Sequence, residues 1–208
     1  MEEELSSQNE EYSLNLHTWI DATTSEGPGR RFALWVQGCS ILCAGCCNPE
    51  MLPFRPHNEK NIIEIFDWIQ KAKQNKQIEG ITFLGGEPFD QALPLLYLAR
   101  KIRKIHLSIM IFSGYTLEEL HQKNDDIVEA LLSLTDLLVD GAYLEKLHTN
   151  KRRWIGSENQ NVHFLSTRYT PQDKCWNQPN TLEISFDGKE LQISGFPLWS
   201  REIARWKK

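Results

Sequence analysis

Four of the five cysteines lie close together, at positions 39, 43, 46 and 47. The first three are spaced Cys-x3-Cys-x2-Cys, and Cys47 follows Cys46 directly. Gaps of two and three residues allow one loop to turn several thiolates toward a single centre, and thiolates are preferred ligands of zinc and of iron–sulfur clusters. The spacing therefore predicts a metal site on this loop.

Three kinds of site fit these cysteines. A structural zinc site usually takes four ligands from two separated knuckles, and this chain offers one knuckle, because Cys175 is far away in sequence. A disulfide needs an oxidising compartment, of which the sequence gives no sign. The third is a [4Fe–4S] cluster held by three cysteines, which leaves one iron open for another ligand. The spacing alone does not separate zinc from a cluster.

The composition narrows the class of protein. A chain of 208 residues with 40% hydrophobic and 25% charged residues can form one well-buried globular domain. A net charge of -5 does not suit nucleic-acid binding. No apolar run approaches the roughly 18 residues of a membrane span, and the acidic N-terminus lacks the features of a signal peptide. We expect a cytoplasmic protein with metal chemistry, no nucleic-acid partner and no membrane association.

Strand and helix patterns alternate along the chain. Buried strands are predicted at residues 31–36, 81–84, 107–112 and 137–139. Helices are predicted after a cap at Asn58, from Asp90 or Gln91 to about Ile105, after a Thr116–Glu119 capping box, and over residues 126–134. Such repeats are typical of an α/β fold with a parallel sheet, in which functional groups collect at the carboxyl ends of the strands.

Four loops follow these strands and should therefore share one edge of the sheet. They are the cysteine loop (residues 38–48), the glycine loop (Gly85, Gly86, Glu87 and Pro88), Ser113-Gly114 and Asp140-Gly141. Glycines let backbone N–H and C=O groups approach a ligand closely. Glu87 or a neighbouring carbonyl can accept hydrogen bonds from a ligand's amino group. This edge is predicted to bind a small molecule beside the metal centre.

The two ends of the chain differ from this pattern. Residues 1–12 are polar and acidic, which predicts a disordered tail. Residues 162–165 predict one more strand. Residues 182–193 alternate apolar and polar side chains around Asp187-Gly188, a pattern typical of a β-hairpin.

Together these motifs resemble the radical S-adenosylmethionine (SAM) superfamily and, more narrowly, the activating proteins of anaerobic ribonucleotide reductase. The resemblance spans about residues 14–164. It is carried in order by Gly27-Pro28-Gly29, Gln37-Gly38-Cys39, Cys43, Cys46 with Asn48, the glycine loop, residues 113–120, Val139-Asp140-Gly141 and residues 153–160.

The resemblance implies a fold, two cofactors and a reaction. The fold would be a partial (β/α)6-type barrel with a C-terminal β-hairpin extension. Cys39, Cys43 and Cys46 would hold three irons of a [4Fe–4S] cluster, and SAM would chelate the fourth. The glycine loop would receive the SAM amino group, with Ser113 and Asp140 as further contacts to SAM. A reductant such as a flavodoxin or a ferredoxin would drive cleavage of SAM to a 5′-deoxyadenosyl radical, which abstracts a hydrogen atom from a polypeptide.

Two departures from the family pattern affect the domain and substrate hypotheses. Cys47 stands where the family usually has an aromatic residue. The acidic tail and residues 166–208 have no counterpart in the short activating proteins. We therefore expect a tail (1–12), a barrel domain (13–165) and an extension (166–208) that packs on the barrel or docks a partner.

Three functions follow from these observations. The leading hypothesis is activation of a glycyl-radical enzyme. The second is a maturase that modifies a ribosomally made precursor peptide together with a partner protein. The third is a zinc-stabilised binding module without catalysis, which leaves the glycine loop and residues 154–160 unexplained.

Overall fold

Seven strands form the main sheet of the computed structural model, which describes residues 12–186 and 191–195. They are β1 (Ser13–Thr23), β2 (Arg31–Val36), β3 (Asn58–Asn61), β4 (Gly80–Gly85), β5 (Ser108–Phe112), β6 (Leu137–Asp140) and β7 (Asn161–Phe164). Their order is β3-β1-β2-β4-β5-β6-β7. The central strands β2, β4, β5 and β6 are parallel. The outer strands β1, β3 and β7 pair antiparallel with their neighbours.

Helices connect the parallel strands and cover one face of the sheet. They are α1 (Ile62–Lys76), α2 (Ala92–Lys104), α3 (Leu117–Gln122) and α4 (Asp126–Leu134). Alternate side chains of each strand point to this face. Their shared core includes Phe32, Leu34, Ile65, Ile69 and Leu95, none of which is exposed. Each such side chain stabilises the fold by roughly 1.5–3 kcal/mol relative to an exposed one.

Most helix signals in the sequence are confirmed, and one is wrong. The capping box of Thr116 and Glu119 is present at the start of α3. Asn58 is not a helix cap, because it begins β3, which pairs with β1. The cap of α1 is Asn61, whose side chain accepts a hydrogen bond from the Ile63 amide at 2.8 Å. A local cap signal cannot report a pairing strand that lies far away in sequence.

Residues that follow β7 pack on part of the other face of the sheet. Trp176 packs edge-on against Trp154 and Phe164, with ring centroids 5.3 and 5.2 Å apart. The Tyr169 hydroxyl lies 2.8 Å from the hydroxyl of Ser108, the first residue of β5. These contacts tie residues beyond 165 to the main sheet.

A second sheet consists of β8 (Leu182–Phe186) and β9 (Leu191–Gly195), which pair antiparallel. It is attached to the loop after β1. The Glu183 carboxylate accepts a hydrogen bond from the Thr24 amide at 3.0 Å. The Glu26 carboxylate accepts one from the Gly195 amide at 2.6 Å. The predicted turn at Asp187-Gly188 and the predicted tail up to residue 11 lie outside the described residues.

The structure agrees with the predicted α/β class. In the described part of the chain the parallel portion of the sheet has four strands, with helices in each of the three connections between them. The six β/α units and the barrel implied by the family resemblance stay a prediction. Within the described residues, no helix is both long and apolar enough to span a membrane.

Candidate active site

The carboxyl ends of β2 and β4 bring the cysteine loop and the glycine loop together. Val36 and Gly85 are register partners at the ends of these strands. The Gly86 amide donates a hydrogen bond to the Val36 carbonyl at 2.8 Å, and the Glu87 amide donates one to the Gly38 carbonyl at 2.8 Å. Main-chain atoms therefore fix the distance between the two loops.

The next two strand ends join the same edge through further main-chain bonds. The Ser113 amide donates to the Val139 carbonyl at 2.9 Å, and the Gly141 amide donates to the Tyr115 carbonyl at 3.0 Å. The structure thus places all four loops at neighbouring strand ends, as expected of parallel strands.

Two residues of the glycine loop have to be glycine for steric reasons. A Cβ atom on Gly86 would lie 2.0 Å from the Gly38 carbonyl oxygen. A Cβ on Gly85 would lie 2.6 Å from the Val36 nitrogen, and the φ of Gly85 is +108°, a conformation that L side chains rarely adopt. The glycines therefore allow the glycine loop to lie directly against the chain that leads into the cysteine loop.

Backbone amides and one thiol surround the sulfurs of the cysteine loop. Burial raises the pKa of the Cys39 and Cys43 thiols, whereas amide N–H donors near these sulfurs act in the opposite direction. The Cys47 thiol donates to the Cys46 sulfur and lowers the pKa of Cys46 to about 6. The Asn48 amide also donates to the Cys46 sulfur, at 3.4 Å. Donors of this kind stabilise a thiolate.

The donor set suits a thiolate-bound centre, although the side chains are not arranged around one. All five cysteines are free thiols. Cys39 is buried and Cys43 and Cys46 are half-buried, so a ligand set on this loop would be shielded from water on one side. Among the residues described, no group of three or more Cys, His, Asp or Glu side chains is poised to hold a metal ion. The assignment of Cys39, Cys43 and Cys46 as ligands stays a prediction.

Glu87 directs its side chain into the protein. Its carboxylate is 1% exposed and accepts hydrogen bonds from the Ser113 hydroxyl at 2.9 Å, the Gly114 amide at 2.8 Å and the Phe89 amide at 3.0 Å. Burial raises its pKa to about 7, and these three donors oppose that rise. The side chains of Glu87 and Ser113 are therefore paired with each other. The half-buried residues of the glycine loop are Gly85 and Gly86, whose backbone remains the candidate contact to a ligand.

Asp140 has a similar internal role. Its carboxylate, 2% exposed, accepts from the Leu117 amide at 2.7 Å and the Asn161 amide at 3.3 Å and lies 2.7 Å from the Nε2 atom of His163. It thereby joins the start of α3 to β7. A cavity of about 760 Å³ next to it is lined by residues of α3, β6 and β7 and by none of the cysteine or glycine loop. The predicted contact of Asp140 with SAM stays a prediction.

Several side chains that hold the cysteine loop were not found by sequence reasoning. The Gln37 amide group donates to the carbonyls of Glu50 and Pro53, at 3.2 and 2.8 Å. Asp90, two residues after the glycine loop, accepts two hydrogen bonds from Ser40. These pairs are distant in sequence and have no characteristic spacing, so the tertiary structure is needed to see them.

Comparisons with known proteins give consistent matches over most of the chain. The 4Fe-4S single cluster domain family matches residues 25–163. The anaerobic ribonucleoside-triphosphate reductase-activating protein of Escherichia coli K12 is 32% identical over 162 residues, which cover 73% of this chain and 99% of that protein. The protein of the same name from Vibrio cholerae is 31% identical, covering 72% of this chain and 97% of that one.

A search of solved structures gives a weaker similarity, to the crystal structure of QueE from Escherichia coli. The sequence identity is 15%, the TM-score is 0.45, and 54% of this chain and 57% of that chain are covered. A similarity at this level does not establish a shared fold.

Proposed function

This chain belongs to the 4Fe-4S single cluster domain family and to the family of anaerobic ribonucleoside-triphosphate reductase-activating proteins, and we propose that it activates a glycyl-radical enzyme. The resemblance to radical SAM activating enzymes is confirmed. The protein is an enzyme of the radical SAM type, and its cofactors are a [4Fe–4S] cluster and SAM.

The proposal assigns the cluster to Cys39, Cys43 and Cys46. Its support is the meeting of the cysteine and glycine loops at one strand edge, through the hydrogen bonds from Gly86 to Val36 and from Glu87 to Gly38. These bonds place the glycine backbone directly beside Gly38, the residue before Cys39. Held by these three cysteines, a [4Fe–4S] cluster with SAM would supply radical chemistry: one electron from the reductant would cleave SAM to methionine and a 5′-deoxyadenosyl radical for hydrogen-atom abstraction from the substrate.

In this proposal the residues of the chain bind SAM and hold the glycine loop in position. Gly85 and Gly86 offer backbone atoms to the SAM amino group, while Glu87 is held inside the protein and keeps the glycine loop in place through Ser113 and Gly114. Amide donors at the cysteine sulfurs stabilise the thiolate form and tune the potential at which the cluster accepts an electron.

The substrate in this proposal is a polypeptide. The relatives are named for activating an anaerobic ribonucleoside-triphosphate reductase, and a backbone glycine of such a partner enzyme would be the hydrogen donor here. We place the reaction in the cytoplasm, with a flavodoxin or a ferredoxin as the electron donor.

The residues that follow position 163 favour a second candidate function. They lie outside the family match, which ends at residue 163. The alignment with the Escherichia coli relative covers 99% of that protein but only 73% of this chain, so this chain has additional residues. An additional segment suits a peptide maturase that works with a partner protein. For either function we propose that residues 13–165 form the catalytic domain and that residues 166–208 form an extension, whose described part packs on that domain through Tyr169, Trp176 and Glu183.

The test is anaerobic reconstitution with iron and sulfide, followed by addition of SAM and dithionite. 5′-Deoxyadenosine from the native chain, and not from Cys43→Ala, is the expected result. Deuterium transfer from a glycine-labelled reductase to deoxyadenosine would establish the activase, and transfer from a precursor peptide would establish the maturase. A colourless chain that contains one zinc ion would overturn both.

A further inference from the structure

We propose that Asp90 is a positioning residue that holds the first turn of the cysteine loop and lowers the reduction potential of the cluster bound there. The inference rests on the proposed function, because it assumes that Cys39, next to the residue that Asp90 binds, is a cluster ligand. Sequence reasoning gave Asp90 a place only as a possible start of the helix that follows the glycine loop.

The contact is made by both carboxylate oxygens with one residue. Asp90 Oδ2 accepts a hydrogen bond from the Ser40 amide at 2.7 Å, and Asp90 Oδ1 accepts one from the Ser40 hydroxyl at 2.8 Å. Hydrogen bonds to an ionised group are about twice as strong as neutral ones. Two of them on adjacent donors fix both the position and the orientation of Ser40, and Cys39 is bonded directly to it.

Asp90 is itself fixed to the glycine loop. Its amide donates to the Glu87 carbonyl at 3.1 Å, and it lies in the short 3-10 helix Pro88–Gln91 that the Glu87 side chain caps. Asp90 therefore links the two loops, because its amide binds the glycine loop and its carboxylate binds the cysteine loop. The main-chain bond from Glu87 to Gly38 lies before Cys39 in the chain, and the bonds from Asp90 lie after it. Cys39 is thus held on both sides.

A third strand end joins through Ser40. The Tyr115 hydroxyl lies 2.8 Å from the Ser40 hydroxyl. Because the Ser40 hydroxyl donates its proton to Asp90, Tyr115 is the donor in this pair. The Lys123 ammonium group lies over the Tyr115 ring, 3.8 Å from its centre, in a cation–π contact that helps to orient the ring. Ser40 therefore connects the ends of β2, β4 and β5.

The charge of Asp90 has a consequence separate from its geometry. The Asp90 carboxylate binds the residue that follows Cys39, and a negative charge close to a cluster disfavours the electron that the cluster must accept, since nearby charge is one determinant of its potential. The Asp90 charge already acts within this site, where it adds to the rise in the pKa of Glu87. Removing the charge while keeping the shape should therefore raise the reduction potential.

Three variants separate the two effects. Asp90→Ala removes the hydrogen bonds and the charge, Asp90→Asn removes the charge and keeps an acceptor, and Ser40→Ala removes the hydroxyl donor. Asp67→Asn, on the exposed surface of α1, is the matched control for charge. Each full-length chain is reconstituted anaerobically and measured for iron per chain, for the electron paramagnetic resonance spectrum of the reduced cluster, for midpoint potential, and for the rate of SAM cleavage.

We expect Asp90→Ala to lower the rate of SAM cleavage at least about tenfold, since it removes two charge-assisted hydrogen bonds and one such bond alone corresponds to about that factor, and to alter the spectrum. Asp90→Asn should keep the native iron content and show a higher midpoint potential. Ser40→Ala should show a smaller loss of rate, and Asp67→Asn should match the native chain in all four measurements.

The result that overturns the inference alone is a native chain that loads its cluster and cleaves SAM, with Asp90→Ala and Asp90→Asn equal to it in spectrum, potential and rate. An Asp90→Ala chain that does not fold leaves the decision to Asp90→Asn, in which an unchanged potential is enough to reject the role of charge. A native chain that binds no cluster overturns the proposed function, and the inference with it.

Discussion

The Glu87 amide donates a hydrogen bond to the carbonyl oxygen of Gly38 at 2.8 Å. The bond joins the glycine loop to the residue before Cys39 through main-chain atoms only. This contact between the two loops is therefore made without any side chain, and it requires that nothing bulky lies between them. Gly86 keeps the space beside the Gly38 carbonyl oxygen free, because it has no side chain.

Replacing Gly86 by alanine should separate the two loops. The added Cβ would lie 2.0 Å from the Gly38 carbonyl oxygen, and backbone must move to relieve this overlap. We expect a loss of about 1–3 kcal/mol in the free energy of unfolding and a reduced iron content after reconstitution. Gly141→Ala is the control, because its φ of +98° is strained while its new Cβ would meet nothing closer than 3.6 Å. Equal iron contents in the two variants would contradict the prediction.

The assignment of Cys39, Cys43 and Cys46 as cluster ligands predicts which cysteine variants lose SAM cleavage. Cys39→Ala, Cys43→Ala and Cys46→Ala should each lose SAM cleavage and show an altered or absent cluster spectrum, because each removes one of three ligands. Cys175→Ala and Cys47→Ala should keep the cluster. The measurement is iron and acid-labile sulfide per chain with the visible absorption spectrum. A Cys43→Ala chain with full activity would show that the ligand set is wrong, and so would loss of iron in Cys47→Ala.

The buried carboxyl group of Glu26 predicts that stability falls as the pH rises. Burial raises its pKa from 4.5 to about 7, against the effect of the hydrogen bond from the Gly195 amide, and the nearby Glu183 adds to the rise. Between these two values the folded chain keeps a proton that the unfolded chain has released, so the contribution to stability present below about pH 4.5 is lost as the pH passes 7. The loss is on the order of 3 kcal/mol at most.

Urea unfolding of the reduced, metal-free chain at pH 5 and pH 8 measures this effect. Glu26→Gln, which can still accept from the Gly195 amide, should show a smaller difference between the two pH values than the native chain. Glu59→Gln, at an exposed position of β3, should not change the difference. Glu87, whose pKa burial also raises to about 7, should account for part of the dependence that remains in Glu26→Gln.

The contact of Tyr169 with Ser108 predicts that the segment after residue 165 stabilises the main sheet. The two hydroxyls are 2.8 Å apart, and the Tyr169 hydroxyl also lies 3.3 Å from the buried Arg31 guanidinium. Tyr169→Phe should lower the free energy of unfolding by about 1 kcal/mol. A double-mutant cycle with Ser108→Ala should give a coupling energy of at least about 0.5 kcal/mol. If Tyr169→Phe had the native free energy of unfolding and the cycle gave no coupling energy, the contact of Tyr169 with Ser108 would not stabilise the main sheet.

Local signals predicted the elements well where burial and capping are decided by neighbouring residues. The six residues of β2 were predicted with their exact bounds, because an uninterrupted run that is buried on both faces shows directly in the sequence. Residues 126–134 were likewise predicted to be helical and form the helix Asp126–Leu134, whose cap at Asp125 the structure adds. The edge strand β3 was missed because Asn58–Asn61 is polar and becomes a strand only through its pairing with β1.

The sequence by itself determined the family, most of the strands and helices, and the meeting of the functional loops at strand ends, because these follow from motif spacing and from the periodicity of neighbouring residues. Only the tertiary structure decided that the Glu87 carboxylate pairs with Ser113 and Gly114 inside the protein, that Asp140 joins α3 to β7, and that Asp90 binds Ser40. A hydrogen bond requires its donor and acceptor atoms to lie about 2.5–3.2 Å apart, and only folding brings groups that are distant in the chain to that separation.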